Sequence, residues 1–338
     1  MKTTTPSKTM TPLRKTAICL SAIGCALATA VEGASLSQAA PYNVFTFGDL
    51  TLTNVDSEGR VAVGGQANLT NFGIGSTFQG RAASAGDSLI VAGNLNYRGG
   101  EVHYGNAYYG GNLISAPAIP NGTLNQGNPL DFASAQSHLT RSSTYWSGLT
   151  ANGATNDNYG GINLIGTDPD LNIFEVSGQM LSSAWGVTID APAGSTVLVN
   201  VNGADNQFKN LGISFSDING DNTGTTNREH VLYNFFESST LRIESISVQG
   251  SLLAPHADVA FNNGNLEGNL IANTVTGTGE AHDYLFEGTL PEETPVLPPI
   301  SGRSLPFPGE GESAVPEPST ALLSALFGSL ALLNRRRS

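Results

Sequence analysis

Two pairs of segments repeat at one offset. Gly250-Ser251-Leu252-Leu253-Ala254 recurs as Gly268-Asn269-Leu270-Ile271-Ala272, and Gly93-Asn94-Leu95 recurs as Gly111-Asn112-Leu113, in each case 18 residues later. A shift of that size suits one coil of a β-solenoid with short faces and sharp corners. Leu252, Leu270 and their neighbours then stack inside, and Gly and Asn take the corners. Composition points the same way. The chain has 40 Gly among 338 residues and is rich in Asn, Thr and Ser between short apolar or β-branched runs. Gly and Asn supply the positive-φ turns that short strands need. The expected fold is all-β with one flanking helix, a right-handed β-helix or solenoid. A β-sandwich is the alternative. No internal linker breaks residues 41–291, so they are read as one domain.

The one helical pattern starts at Asp131, a plausible N-cap. Phe132, Ala135, Leu139, Ser142, Trp146 and Leu149 recur at steps of three or four, and Asn152-Gly153 offers a stop. A helix with a single apolar stripe lies against something, and the flank of a solenoid serves.

Both ends read as export signals. Lys2, Lys8, Arg14 and Lys15 precede the apolar run from Ala17 to Ala30, and Ala28-Thr29-Ala30 or Ser37-Gln38-Ala39 offers a small-x-small cleavage site. Residues 1–40 are therefore taken as signal peptide and leader. Both cysteines, Cys19 and Cys25, fall inside it, so the mature chain is expected to hold neither disulfide nor cysteine metal site. A lipoprotein signal at Cys25 is the rival reading. Residues 292–314 are a proline-rich spacer. In residues 315–338, Val315, Pro316, Glu317 and Pro318 lead into the apolar run from Ala321 to Leu333, closed by Arg335, Arg336 and Arg337. The prolines put the helix start after Pro318. The run is short for a permanent span, which needs about 20 residues, and the arginines stay on the cytoplasmic side. This order resembles the PEP-CTERM sorting signal. The resemblance implies delivery by the Sec translocon, transient membrane insertion of the tail and processing by an exosortase. An ordinary C-terminal anchor is the alternative. Either way the body lies outside the cytoplasm.

Between residues 41 and 314 stand eight basic and 26 acidic residues, a formal charge of −18. Such a surface repels nucleic acid and anionic lipid. No Gly-x-Ser-x-Gly elbow, His-Glu-x-x-His pair or phosphate loop occurs. His103, His138, His230, His256 and His282 are scattered, although Glu280 is close to His282 and Asp258 follows His256. Asp217-x-Asn219-x-Asp221 resembles the start of a calcium loop. Asn222 replaces its glycine, however, and Arg228 replaces its final glutamate, so a polar turn is the better reading. No catalytic residue, metal ligand or cofactor is assigned. A polysaccharide-active enzyme stays open, because β-helices host lyases and glycosidases.

Blocks along the body carry a second resemblance. They include Tyr42-Asn43-Val44-Phe45, Glu58-Gly59-Arg60-Val61-Ala62-Val63-Gly64-Gly65, Ile90-Val91-Ala92-Gly93-Asn94-Leu95, Ala191-Pro192-Ala193-Gly194-Ser195-Thr196, Gly250-Ser251-Leu252-Leu253-Ala254-Pro255 and Phe286-Glu287-Gly288-Thr289-Leu290-Pro291. In this order they resemble the choice-of-anchor A domain. That resemblance implies a surface adhesin with a body similar to β-helical ice-binding domains, and it supplies no catalytic residues. The expected function is an exported, non-enzymatic protein of the cell surface or extracellular matrix that adheres to polysaccharide. Tyr97, Tyr104, Tyr108 and Tyr109 form the candidate glycan patch, with ordinary strand tyrosines as the plainer reading. Ice binding is the third class. It needs a regular threonine face, and Thr51-x-Thr53 and Thr274-x-Thr276-x-Thr278 do not recur at the coil period.

Overall fold

Short parallel strands stack coil upon coil in a computed structural model that describes residues 36–80, 86–218 and 225–293. The chain divides into two compact units, 1–293 and 294–338, and the described residues belong to the first. The leader up to residue 35, the spacer from residue 294, and the tail with Val315, Pro316, Glu317, Pro318, Arg335, Arg336 and Arg337 lie outside them.

The repeat seen in the sequence is the coil. Leu252, Leu253 and Ala254 pair in parallel with Leu270, Ile271 and Ala272, and Leu95 pairs with Leu113. Leu252 and Leu270 are buried inside, as expected. Among the described strands one pair is antiparallel, Ala154–Asn158 with Gly161–Ile165. A sandwich is built from antiparallel sheets, so the parallel ladder overturns the β-sandwich alternative. At the corners, Asn54 and Asn71 adopt φ of 58° and 48°, and Asn71 Nδ2 donates to Asn54 Oδ1 at 2.9 Å. Asparagine tolerates this left-handed region better than other non-glycine residues. The next corner holds Gly99 at φ 73°, where a Cβ would come within 2.4 Å of Asn71 Oδ1.

The stacking order departs from the sequence order. Val44 pairs with Val61 on one side and with Leu270 on the other, so the first coil lies between the second and the last. From this middle coil the chain winds outward to Leu124–Gln126. It then passes through helix α1 (Phe132–Ser147), begins again at residues 154–177 and winds back to close on its own start. Side chains pin the closure. Asn269 Nδ2 donates to Ala40 O and Tyr42 O, and Asn43 Nδ2 donates to Gly268 O and His282 O.

One face of the solenoid is covered by α1. Its strands are apolar on both sides, and Tyr42–Thr46 is buried at every position. That continuous pattern is what doubly covered parallel strands require. Leu124, Ala107, Leu89, Val61, Val44, Leu270, Leu252, Tyr233, Val199 and Phe174 run along the inside of the ladder. On the outside, Ile90, Ala62, Phe45, Ile271, Leu253 and Leu232 meet Phe132, Ala135, Leu139 and Trp146 of α1. Asp131 caps the helix by accepting from Ser134 N at 3.0 Å. The helix ends at Ser147 with Gly148 as its cap, earlier than Asn152-Gly153. Asn152 instead serves the solenoid, donating to Leu171 O and accepting from Ile173 N. Asn234 fastens the helix in the middle: its Nδ2 donates to Ser143 O and to Asn200 Oδ1, each at 2.9 Å.

A second helix, α2 (Gly178–Ser183), was not foreseen and corrects the expectation of one helix. Its six residues are too few to show a period, and the signal is Ser177, whose hydroxyl accepts from Met180 N at 3.1 Å. Among the described residues no helix is long and apolar enough to cross a membrane.

Leu139→Ala should leave a cavity under α1 and cost about 2–5 kcal/mol. A clear drop in the urea midpoint checks this, and an unchanged midpoint would mean that the helix is not seated as described.

Candidate functional surface

The face opposite in character to the helix-covered one is an open parallel ladder. Its strands alternate strictly, with Leu50–Thr53 reading buried, exposed, buried, half-buried. The inner row of Phe208, Ile243, Phe261, Leu52, Leu69 and Tyr97 fills the solenoid. The side chains between them have to point out. Gln207, Arg242, Ala260, Thr276, Thr51, Asn68 and Asn96 are Cα partners from strand to strand. Neighbours in such a file stand about 4.8 Å apart. Beside it runs a file of Asp205, Thr240, Asp258 and Thr274, and on the other side one of Thr53, Thr70 and Arg98.

The register answers the objection that the two Thr-x-Thr motifs do not recur. Thr51 pairs directly with Thr276, because the first coil lies beside the last. Thr51, Thr53, Thr70, Thr274 and Thr276 thus share three adjacent strands. Many of the outward side chains are braced. Thr274 Oγ1 and Asn273 Nδ2 donate to Asp258 Oδ1 at 2.7 and 2.9 Å, Asn96 Nδ2 donates to Asn68 Oδ1 at 3.2 Å, and Arg242 pairs with Glu244 at 2.6 Å. Ala260, the smallest member of its file, lies in a shallow recess of about 620 Å³ bordered by Asp205, Thr240, Arg242 and Asp258.

The third face gathers titratable groups that the sequence scatters. His282 Nδ1 lies 2.8 Å from Glu267 Oε1, and Arg228 Nη1 donates to Glu267 Oε2 at 2.8 Å. Glu280 is 3.7 Å from His282 Nε2 and hydrogen-bonds to Asp56. His103 pairs with Glu101 at 2.7 Å. Arg228, which stands where a calcium loop would need its last carboxylate, is thus engaged with Glu267 and with the Tyr284 ring at 4.8 Å. Asn219, Asp221 and Asn222 lie outside the described residues. Among the described residues no His, Cys, Asp and Glu group is arranged to hold a metal ion.

Burial and the neighbouring Glu280 push Asp56 up to about 6, against a smaller pull from His282 and His103. Burial alone would lower the His282 imidazole, but the hydrogen bond and charge of Glu267, with Glu58 and Glu280, raise it. Both groups hold their protons more tightly folded than unfolded.

The four candidate tyrosines do not form one surface. Tyr97 is fully buried, its hydroxyl donating to Phe72 O, and burial pushes that hydroxyl's pKa up. Tyr108 and Tyr109 are adjacent on one strand and so point to opposite sides. Tyr108 packs toward α1 and Tyr109 toward the solenoid interior. Tyr104 is half-buried at the corner before that strand. Alternation along Leu95–Val102 was the available signal for Tyr97, since Leu95 and Tyr97 share a side.

A family model described as "Putative Ice-binding-like adhesive domain" matches residues 35–283. Two solved structures are similar. One is an ice binding protein from an Antarctic bacterium, Flavobacteriaceae, at 16% identity over 81% of this chain and 52% of that one, with a TM-score of 0.37. The other is an ice binding protein from an Antarctic biological consortium, at 15% identity over 82% of this chain and 96% of that one, with a TM-score of 0.34. This chain spans about half the length of the first. No curated protein matches.

For Asp56 and His282 the linkage has one sign. The stability they contribute is full at low pH. It falls as pH rises from about 4 through about 6 for Asp56, and falls further above 6.5 for His282. Asp56→Asn should therefore gain melting temperature on the wild type between pH 5 and 8 and not at pH 4. A difference that is constant with pH in paired melts would refute this.

Proposed function

We propose, on the premise that the chain belongs to the ice-binding-like adhesive domain family, that it is an exported, non-catalytic adhesive protein whose open ladder grips a hydroxyl-rich polymer. The observation that carries this reading is the continuous file from Gln207 to Asn96, which presents amide, hydroxyl and guanidinium groups at a regular step on a rigid sheet. Each such contact is worth little, and affinity comes from their number. Polar groups already braced to one another lose little freedom on binding.

The same face supports ice binding less well. Its threonine block is flanked within two strands by Arg242 and Asp258 on one side and by Arg98 on the other. Charged groups break the uniform array that an ice plane would need, whereas they suit a polymer with hydroxyl and amide groups. The carboxylates of Asp56 and Glu280 are in hydrogen-bond contact. A glycosidase pair is held about 5 Å apart or more, so this pair does not suit a hydrolase.

Membership of an adhesive family supports a surface or extracellular place. The leader before Leu36, which with Ala39 is already buried in the body, and the tail of residues 315–338 support export by the Sec translocon, transient insertion of the tail, and exosortase handling at Pro316-Glu317-Pro318. Final residence is then the cell surface or the extracellular matrix.

Retention of the protein on insoluble polysaccharide extracted from a biofilm matrix should fall about tenfold or more in Thr51→Lys/Thr276→Lys, with melting temperature little changed. Equal retention of wild type and variant overturns the role of this face. Thermal hysteresis in the wild type that the variant loses, without polymer retention, would favour ice binding instead.

A further inference from the structure

The chain has two tryptophans, and the fold treats them in opposite ways. Trp146 is fully buried under the covered face, its Nε1 donating to Pro291 O at 2.9 Å. Trp185 is 65% exposed, yet its ring is fixed. Its Nε1 donates to Tyr159 O at 3.0 Å and its backbone N donates to Gly160 O at 3.0 Å. The indole rests on Gly160 and Gly161, where a Cβ on Gly161 would come within 2.5 Å of Trp185 Cζ2. The two glycines are the seat that lets the ring lie flat on the hairpin. Tyr159, at the tip of that hairpin, is 98% exposed at φ 51°. That backbone conformation is uncommon for an aromatic residue.

On the indole's face of this small sheet, opposite the buried Ile162, the strands present the paired row Asn163, Thr188 and Ser214. Thr188 Oγ1 and Ser214 Oγ are hydrogen-bonded at 3.3 Å. An exposed indole held in one orientation therefore shares a sheet face with an amide and two hydroxyls. None of these residues belongs to the files of the open ladder.

We propose that Trp185, with Tyr159 and the Asn163–Thr188–Ser214 row, is a binding site for a neutral glycan segment. A pyranose ring offers a face of C–H groups that lies flat on an aromatic ring, and a rim of hydroxyls that pairs with amide and hydroxyl groups. A site for such a ring is a rigid apolar plate next to a few convergent polar groups. The fixed indole loses no rotamer freedom on binding. A protein partner would require a wider apolar patch than two rings among polar neighbours. The acidic body repels uronic acids and other anionic glycans. The inference rests on the reading of the chain as an adhesive protein for polymers, and gives that reading a second point of attachment.

The test uses the protein's own fluorescence. Acrylamide should quench Trp185 and leave Trp146 dark to it. Cellohexaose or chitohexaose should protect Trp185 from quenching, and Thr51→Lys/Thr276→Lys should not change that protection. Trp185→Ala should lower retention on the corresponding insoluble polymer about tenfold, and Trp185→Tyr should restore part of it. Unprotected Trp185 at saturating hexasaccharide, or Trp185→Ala retained like the wild type, overturns this site while leaving the adhesive reading intact. A wild type retained on no polymer overturns both.

Discussion

Everything else in this molecule depends on the closure of the last coil against the first. Val44 is hydrogen-bonded in register between Val61 and Leu270, and Asn269 and Asn43 tie the two ends of the body with side-chain bonds across more than two hundred residues. A parallel ladder has two free edges, which are open invitations to pair with another chain. Here the starting edge of the chain is consumed inside the stack. The cost is loop closure over nearly the whole body, which grows slowly with length but has to be met before the contact forms. High contact order of this kind makes for slow folding. It suits a protein whose final shape is a rigid scaffold.

The closure decides the chemistry of each face. On the covered side it brings Phe45 and Ile271 together, so that α1 meets one continuous apolar floor built from both halves of the chain. On the open side it brings Thr51 and Thr276 together and makes one polar file from two half-files. On the third side it brings Asp56 to Glu280, so two carboxylates far apart in the chain interact. The same step that completes the fold completes the surface, and a chain that failed to close would have two short polar ladders.

How much of this the sequence could tell follows from the coil lengths. Where a coil has no insertion, its neighbour lies 17 or 18 residues on, and those are the stretches in which the repeat was visible. Elsewhere the offset is 28 or 35 residues, because extra loops hang from the corners, and the period is lost. The helix was legible because its apolar stripe is long and Asp131 caps it; its end was not, because Gly148 and Gly153 are both good stops and only packing chooses. The threonine face was illegible for a topological reason: a repeat search compares neighbours in sequence, and the pairs that matter are first against last. Tyr97 looked like a surface ring until strand alternation placed it beside Leu95, and Trp185 stood in no period and drew no attention.

Adhesion by such a scaffold is a question of which freedom is lost. A flexible surface would order its side chains at each contact, and the entropy would offset what the contacts supply. In this chain that ordering is done during folding. Asp258 is held by Thr274 and Asn273, Asn68 by Asn96, and the Trp185 indole by its glycine seat and the Tyr159 carbonyl. Solenoid stacking fixes their relative positions, because each coil's register is set by the buried row beneath it. A polymer that meets this surface finds its partners already aligned along one direction, so weak contacts add with little further entropy cost. Rigidity is therefore what the parallel ladder contributes to function, and the chemistry of attachment is left to the side chains that alternate out of it.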